Sequence, residues 1–256
     1  MTNPKASRTG IWRDAFQVFP DLWAFLKHPT VGEATYIWTP LIWRQILLLF
    51  LFDLVLLLPI YFYFVGYDEF LLVIGTETPE NTAFDDYDSL WTLWLSIGLV
   101  APLVEEPMFR GWLKGTPRQL LLLALMIGTL LLLLALGPIN DLPPWGFVFL
   151  VMAFIAAVAT ALLEIEARTQ SNAPTVPMFD RHFRTIFWTS AVLFGLVHVS
   201  NYEGGTVWAA VPMVLPQLAA GLLLGFARLR FGIRASILLH SASNSILIPL
   251  IVLSSS

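Results

Sequence analysis

The chain has 256 residues, of which 57% are hydrophobic and 12% charged, with a formal net charge of −4 and a mean hydropathy of +0.74. A soluble domain carries about 25% charged residues, so the composition excludes an ordinary soluble fold and reads as an all-α polytopic membrane protein. There is no cysteine, which excludes disulfides, thiolate metal ligands and a cysteine nucleophile.

The polar start, MTNPKASRTG, lacks the apolar h-region of a signal peptide, so the first long apolar run is expected to be an uncleaved span. Before that run, Trp12, Phe16, Phe19, Trp23 and Leu26 recur at intervals of 4, 3, 4 and 3. They make one mostly aromatic helix face, with Arg13, Asp14, Asp21 and Lys27 elsewhere, and Pro20 is expected to kink or restart the helix. The pattern describes an amphipathic helix on the cytoplasmic interface; packing against the bundle is the alternative. Residues 1–40 are therefore read as a cytoplasmic segment and 41–256 as the transmembrane domain.

A bilayer core of about 30 Å needs roughly 20 apolar residues in a helix. Seven runs qualify: Leu41–Val65, Leu90–Leu113, Leu120–Leu136, Trp145–Leu163, Arg184–Val199, Val207–Leu229 and Ala235–Leu253. The third is short, and polar residues break the fifth. All 14 basic residues fall on one side of these spans: Lys5, Arg8, Arg13, Lys27 and Arg44 around the start of the first, then Arg110, Lys114 and Arg118, then Arg168, Arg181 and Arg184, then Arg228, Arg230 and Arg234. The other side is acidic or neutral, with Asp68, Glu69, Glu77, Glu80, Asp85, Asp86 and Asp88 in one loop, Asp141 in another and Glu203 in a third. The positive-inside rule then predicts a multi-pass protein of the plasma or inner membrane with a cytoplasmic N-terminus and an external C-terminus.

Charged and imidazole side chains are costly at membrane depth, so their positions mark candidate sites. Glu105 and Glu106 lie about nine residues from the cytoplasmic end of the second span, roughly 13 Å deep. Adjacent helical residues point about 100° apart, so the two carboxylates have different surroundings. Glu106 and Arg110 are i, i+4, the spacing of a helical ion pair, which leaves Glu105 free to face a cavity as a general base. An ordinary buried ion pair is the structural alternative. Phe194 and His198 are i, i+4 in the fifth span, and His240 and Asn244 are i, i+4 in the seventh. Both His240 and Asn244 can present N–H donors to a developing oxyanion, or can simply bond between helices. Asp53 and Arg44 are the ionisable residues of the spans outside this set.

Glu-Glu-x-x-x-Arg at 105–110, Phe-x-x-x-His at 194–198 and His-x-x-x-Asn at 240–244 resemble, in order and spacing, the CPBP family. These are intramembrane glutamic endopeptidases that include the type II CAAX prenyl endopeptidases and the Abi bacteriocin-processing or self-immunity proteins. The resemblance covers about Leu90–Leu253, and Gly221-x-x-x-Gly225 looks like the family's small-residue helix. It implies that Glu105 and His198 activate water, that His240 and Asn244 hold the oxyanion, and that Glu106, Arg110 and Phe194 support them. It also implies no cofactor and no metal. The partners it implies are the lipid bilayer and a protein or peptide substrate, lipidated or not, with no nucleic acid. Substrate and oligomeric state are not fixed by the sequence.

Depth strains this reading. Counted from Arg184, His198 lies roughly 21 Å in and overshoots Glu105 by about 8 Å, so a strong tilt or a helix starting in the interface is expected. Three other readings stand beside the peptidase. One is a zinc peptidase using Glu105, His198 and His240, although the His-Glu-x-x-His spacing is absent. The others are a non-catalytic scaffold or self-immunity protein and a transporter, the last without any inverted repeat to support it.

Overall fold

The computed structural model describes residues 8–32, 38–85, 87, 89–136 and 175–254. Two short helices open it, α1 (Arg8–Phe16) and α2 (Val18–Lys27), followed by the long α3 (Pro40–Val73). A single span, Leu90–Arg110, combines α4 (Leu90–Leu93), a π-helical stretch (Trp94–Val100) and α5 (Ala101–Arg110). Then come α6 (Pro117–Leu136), α7 (Pro177–Arg181) and α8 (Phe183–Val197), the last continuing into a 3₁₀ turn at His198–Asn201. The chain closes with α9 (Val207–Ala210), a 3₁₀ turn (Val211–Val214), α10 (Leu215–Phe231) and α11 (Ile233–Ser254).

The protein is an all-α membrane protein. Among the described residues, Pro40–Val73, Leu90–Arg110, Phe183–Asn201 and Val207–Phe231 are long and apolar enough to cross a bilayer, with Pro117–Gly128 a shorter apolar helix. The predicted span Trp145–Leu163, together with Lys5, Asp86, Asp88, Asp141 and Arg168, lies outside the described residues.

Helix starts follow local chemistry. Thr39 caps α3 through its hydroxyl and Pro40 opens the first turn, where a missing N–H costs nothing. Ser89 caps α4 and Thr206 caps α9 in the same way. The break between α1 and α2 falls at Gln17, three residues before Pro20, which sits in the first turn of α2 among N–H groups without intrahelical partners. The aromatic face predicted for this segment is divided. Ala15, Val18 and Leu22 are buried against α3 and α10, with Phe19 and Leu26 packed beside them, while Trp12, Phe16 and Trp23 remain exposed. The segment therefore packs on the bundle and also presents aromatic rings outward.

Loops gather at two ends. At the acidic end a two-residue antiparallel ladder, β1 (Glu80–Asn81) with β2 (Tyr202–Glu203), joins the loop after α3 to the loop after α8. Thr82 N–H donates to the Asn201 carbonyl at 2.9 Å, and Gly205 N–H to a Glu77 carboxylate oxygen at 3.3 Å. At the basic end, Val176 N–H donates to Gly115 O at 2.9 Å, Thr175 Oγ1 to Lys114 O at 3.0 Å, and Arg230 pairs with Asp21 at 3.2 Å. One basic residue departs from the expected loop cations. Arg228 is buried in the last turn of α10 and donates through Nε and Nη2 to Arg110 O and Gly111 O at 3.1 and 3.3 Å. It adds a second donor to Arg110 O, which also takes Leu113 N–H at 3.3 Å, and supplies one to Gly111 O just past the C-terminus of α5.

The Gly221/Gly225 face serves packing within the chain. A Cβ at Gly221 would lie 3.2 Å from Ala191 O and from the Phe194 ring, and at Gly225 2.7 Å from the Phe187 ring. α10 and α8 therefore meet almost backbone to backbone. Because Phe187 is itself fully buried, its ring has nowhere to retreat. Gly225→Ala should accordingly lower stability by about 1–3 kcal/mol, measurable as a fall in Tm in detergent; an unchanged Tm would contradict this close approach.

Candidate active site

The π-helical stretch sets the phase of the acidic pair. Ala101 N–H reaches back five residues to Ser96 O, and the next donor in that register would belong to Pro102, which has none. Ile97 O is thus left free and accepts from Asn244 Nδ2 at 2.8 Å. Gly98 lets α11 approach this wide turn, since a Cβ there would sit 3.3 Å from Ser245 Oγ. π-Bulges recur at functional sites because one extra residue re-aims everything after it. Here the residues that follow are Glu105 and Glu106.

Glu106 has no solvent exposure and is fully partnered. Its Oε1 takes Arg110 Nη1 at 2.5 Å and His240 Nδ1 at 2.8 Å, and Ser236 Oγ donates to Oε2. A carboxylate paired with Arg110 is an acceptor only, so His240 Nδ1 carries a proton. Arg110 also lies over the Phe194 ring, 3.8 Å from its centroid, a cation–π contact strengthened by burial. Phe194 is in turn met edge-on by His198 at 4.9 Å, by His240 at 5.8 Å and by Phe109 at 5.3 Å between ring centroids.

His198 stands where α8 tightens. Its backbone N–H bonds to Gly195 O and Leu196 O, not to the carbonyl four residues back, and the freed Phe194 O takes His198 Nδ1 at 2.7 Å. A carbonyl accepts only, so this Nδ1 also carries a proton. The ring is thereby turned back along α8 toward Phe194, on the side where Glu105 stands. In addition, α7 and the first turn of α8 pack beside Leu113 and Trp112, beyond the end of α5, so Arg184 lies outside the level at which α5 ends. Together these remove the overshoot predicted for His198.

Glu105 faces both rings. Its Oε2 is 3.9 Å from His198 Nε2 and 3.9 Å from His240 Nε2, and among the described residues this buried oxygen has no hydrogen-bond partner. With both Nδ1 atoms protonated, neutral imidazoles leave both Nε2 atoms as lone pairs. Three acceptor atoms thus surround one small space and need a donor between them. For His240 this refines the expected oxyanion role, because its Nε2 donates only when the ring is doubly protonated.

The structure brings Glu105, Glu106, Arg110, Phe194, His198 and His240 together. Asn244 is anchored to Ile97 O one turn beyond His240, and its second amide N–H has no partner among the described residues. Four contributors carry little sequence signal: Ser236, Arg228, the Ile97 carbonyl and the bond from Ser243 to Asp53. Removing Arg110 would strand Glu106 without its countercharge, which typically costs 3–5 kcal/mol, so Arg110→Met should lower stability by about that much. Thermal unfolding in detergent tests this; an unchanged Tm would mean that the pair does not hold the bundle.

No individually curated protein and no solved structure matches the chain. A family model described as "Type II CAAX prenyl endopeptidase Rce1-like" matches residues 87–246, the stretch that contains every residue of this cluster. The chain therefore belongs to the Rce1-like family of type II CAAX prenyl endopeptidases.

Proposed function

We propose that the protein is an intramembrane endopeptidase that hydrolyses peptide bonds with a water activated by Glu105 and His198. The observation that carries this reading is the convergence of Glu105 Oε2 with two Nε2 lone pairs, each 3.9 Å away. That separation is too long for a direct hydrogen bond and suits a bridging water with legs of about 2.8 Å. A tetrahedral zinc with bonds of about 2.1 Å would draw such ligand atoms to about 3.4 Å of one another, and a tetrahedral water with legs of about 2.8 Å would set them about 4.6 Å apart. The observed spacing lies between the two, and chelation separates them.

In this chemistry a proton passes from water to Glu105 as the water oxygen attacks the scissile carbonyl carbon. The oxyanion that forms is met by Asn244 N–H and by Nε2–H of protonated His240. Collapse breaks the C–N bond, and the leaving amine takes the proton held by Glu105. Arg110 offsets Glu106, and once His240 has taken a second proton it offsets ionised Glu105, so that the four groups then carry no net charge. Proton transfer to Glu105 then leaves the oxyanion facing the His240 cation. Low dielectric strengthens that attraction.

Substrate is expected from the basic end or laterally from the bilayer. The chain would make seven crossings, with the basic end cytoplasmic. Because cysteine is absent, single cysteines report topology without background. Arg118→Cys should be labelled by an impermeant thiol reagent only from the cytoplasmic side, and Glu203→Cys only from the external side; the reverse pattern would overturn the orientation.

The activity test is cleavage of prenylated and unprenylated reporter peptides by the protein in liposomes. Glu105→Gln should lower the rate by about 10²–10⁴ and His240→Ala by about 10²–10³, with chelator leaving the wild type unchanged. Full activity in Glu105→Gln would remove Glu105 as the base, and no cleavage by the wild type would favour a non-catalytic scaffold or self-immunity role. Loss of activity on chelation would favour zinc.

A further inference from the structure

Between Arg44 and Asp68, the only acidic or basic residue of α3 is Asp53. It stands thirteen residues beyond Pro40, roughly 20 Å along the helix, well inside a bilayer core of about 30 Å. A carboxylate at that depth is costly unless it has a task, and the chemistry above gives it none. Its partner is on α11: Ser243 Oγ donates to Asp53 Oδ2 at 2.6 Å. Ser243 is buried, follows His240 by three residues and immediately precedes Asn244. Among the described residues no lysine or arginine pairs with Asp53. The family match begins at residue 87, so Asp53 reaches this helix from outside the matched segment.

Anchors on α11 fall on different sides of it. His240 is held by Glu106 of α5 and Asn244 by Ile97 of the π-helical stretch. At about 100° per residue, Ser243 lies some 60° to one side of His240, 100° from Asn244 and about 20° from Ser236. So α3 holds the face that Glu106 holds through Ser236, but two turns further along, at the level of His240 and Asn244. Reacting groups must be held within about 0.5 Å and 10–20°, and rotation of α11 about its own axis would move both side chains together.

We propose that Asp53 is a positioning residue: through Ser243 it fixes the rotation of α11 and hence the direction in which His240 and Asn244 are presented. Its effect on turnover rests on the peptidase reading above, whereas its effect on the His240 ring does not. The experiment therefore has two readouts on the full chain in detergent, the ¹⁵N resonances of the four histidines and steady-state kinetics on a cleaved reporter.

Ser243→Ala should move the His240 resonance and lower kcat about tenfold or more, with KM unchanged. Asp53→Leu should do the same. Asp53→Asn still offers Oδ1 to the Ser243 hydroxyl, so it should preserve the resonance and keep kcat within about threefold of wild type. Should Asp53→Leu fail to fold, Ser243→Ala removes the same bond with the loss of one oxygen. Unmoved resonance and kcat in Ser243→Ala would overturn the proposal. So would a loss in Asp53→Asn as large as that in Ser243→Ala, because charge and not the hydrogen bond would then matter. If the wild type cleaved no reporter, the peptidase reading would fail, and the His240 resonance would still decide whether Asp53 positions the ring.

Discussion

A carboxylate with no solvent exposure, inside a helix that crosses a bilayer, must have its charge balanced and its lone pairs occupied. Glu106 meets this requirement with Arg110 from its own helix and with Ser236 and His240 from α11. The consequences spread to every neighbouring helix. Arg110 needs the Phe194 face on α8, and the end of the helix that carries it is capped by Arg228 from α10. α8 and α10 approach closely enough to hold Phe194 because glycines stand at 221 and 225. Four helices are thus locked around one ion pair.

That lock divides the labour of two adjacent glutamates. Glu106 is committed to Arg110 and to fixing the tautomer of His240, an arrangement like the carboxylate that orients the histidine of a hydrolytic triad. Glu105, turned about 100° away, keeps an oxygen that no described residue satisfies. The second histidine has its tautomer fixed by a different device, a main-chain carbonyl released where α8 tightens. Two unrelated local causes produce the same outcome, an Nε2 atom facing Glu105. Coincidence of this kind gives the peptidase reading its physical content.

Much of this is legible in the chain because helical spacing is simple. The i, i+4 relation of Glu106 and Arg110, of Phe194 and His198, and of His240 and Asn244 follows from residue numbers alone, as does the clustering of basic and acidic residues at opposite ends. What is hidden depends on irregular backbone or on distant partners. No periodicity announces that Pro102 leaves Ile97 O free for Asn244, or that the His198 ring turns back toward Phe194. Arg228 reads as a loop cation because an arginine after an apolar run ordinarily is one; only the open C-terminus of α5 gives it a buried use. The outward-facing Trp12 and Trp23 show the same limit, since an aromatic stripe does not say which of its rings meets protein and which meets lipid.

The most direct test of the central claim is an experimental structure in lipid that resolves the space between Glu105 and the two imidazoles, with anomalous data at the zinc edge. The account predicts one density peak about 2.8 Å from Glu105 Oε2 and both Nε2 atoms, without anomalous signal, beside an intact Glu106–Arg110 pair. A peak at about 2.1 Å with anomalous signal, or a Glu105 side chain turned onto Arg110, would contradict it.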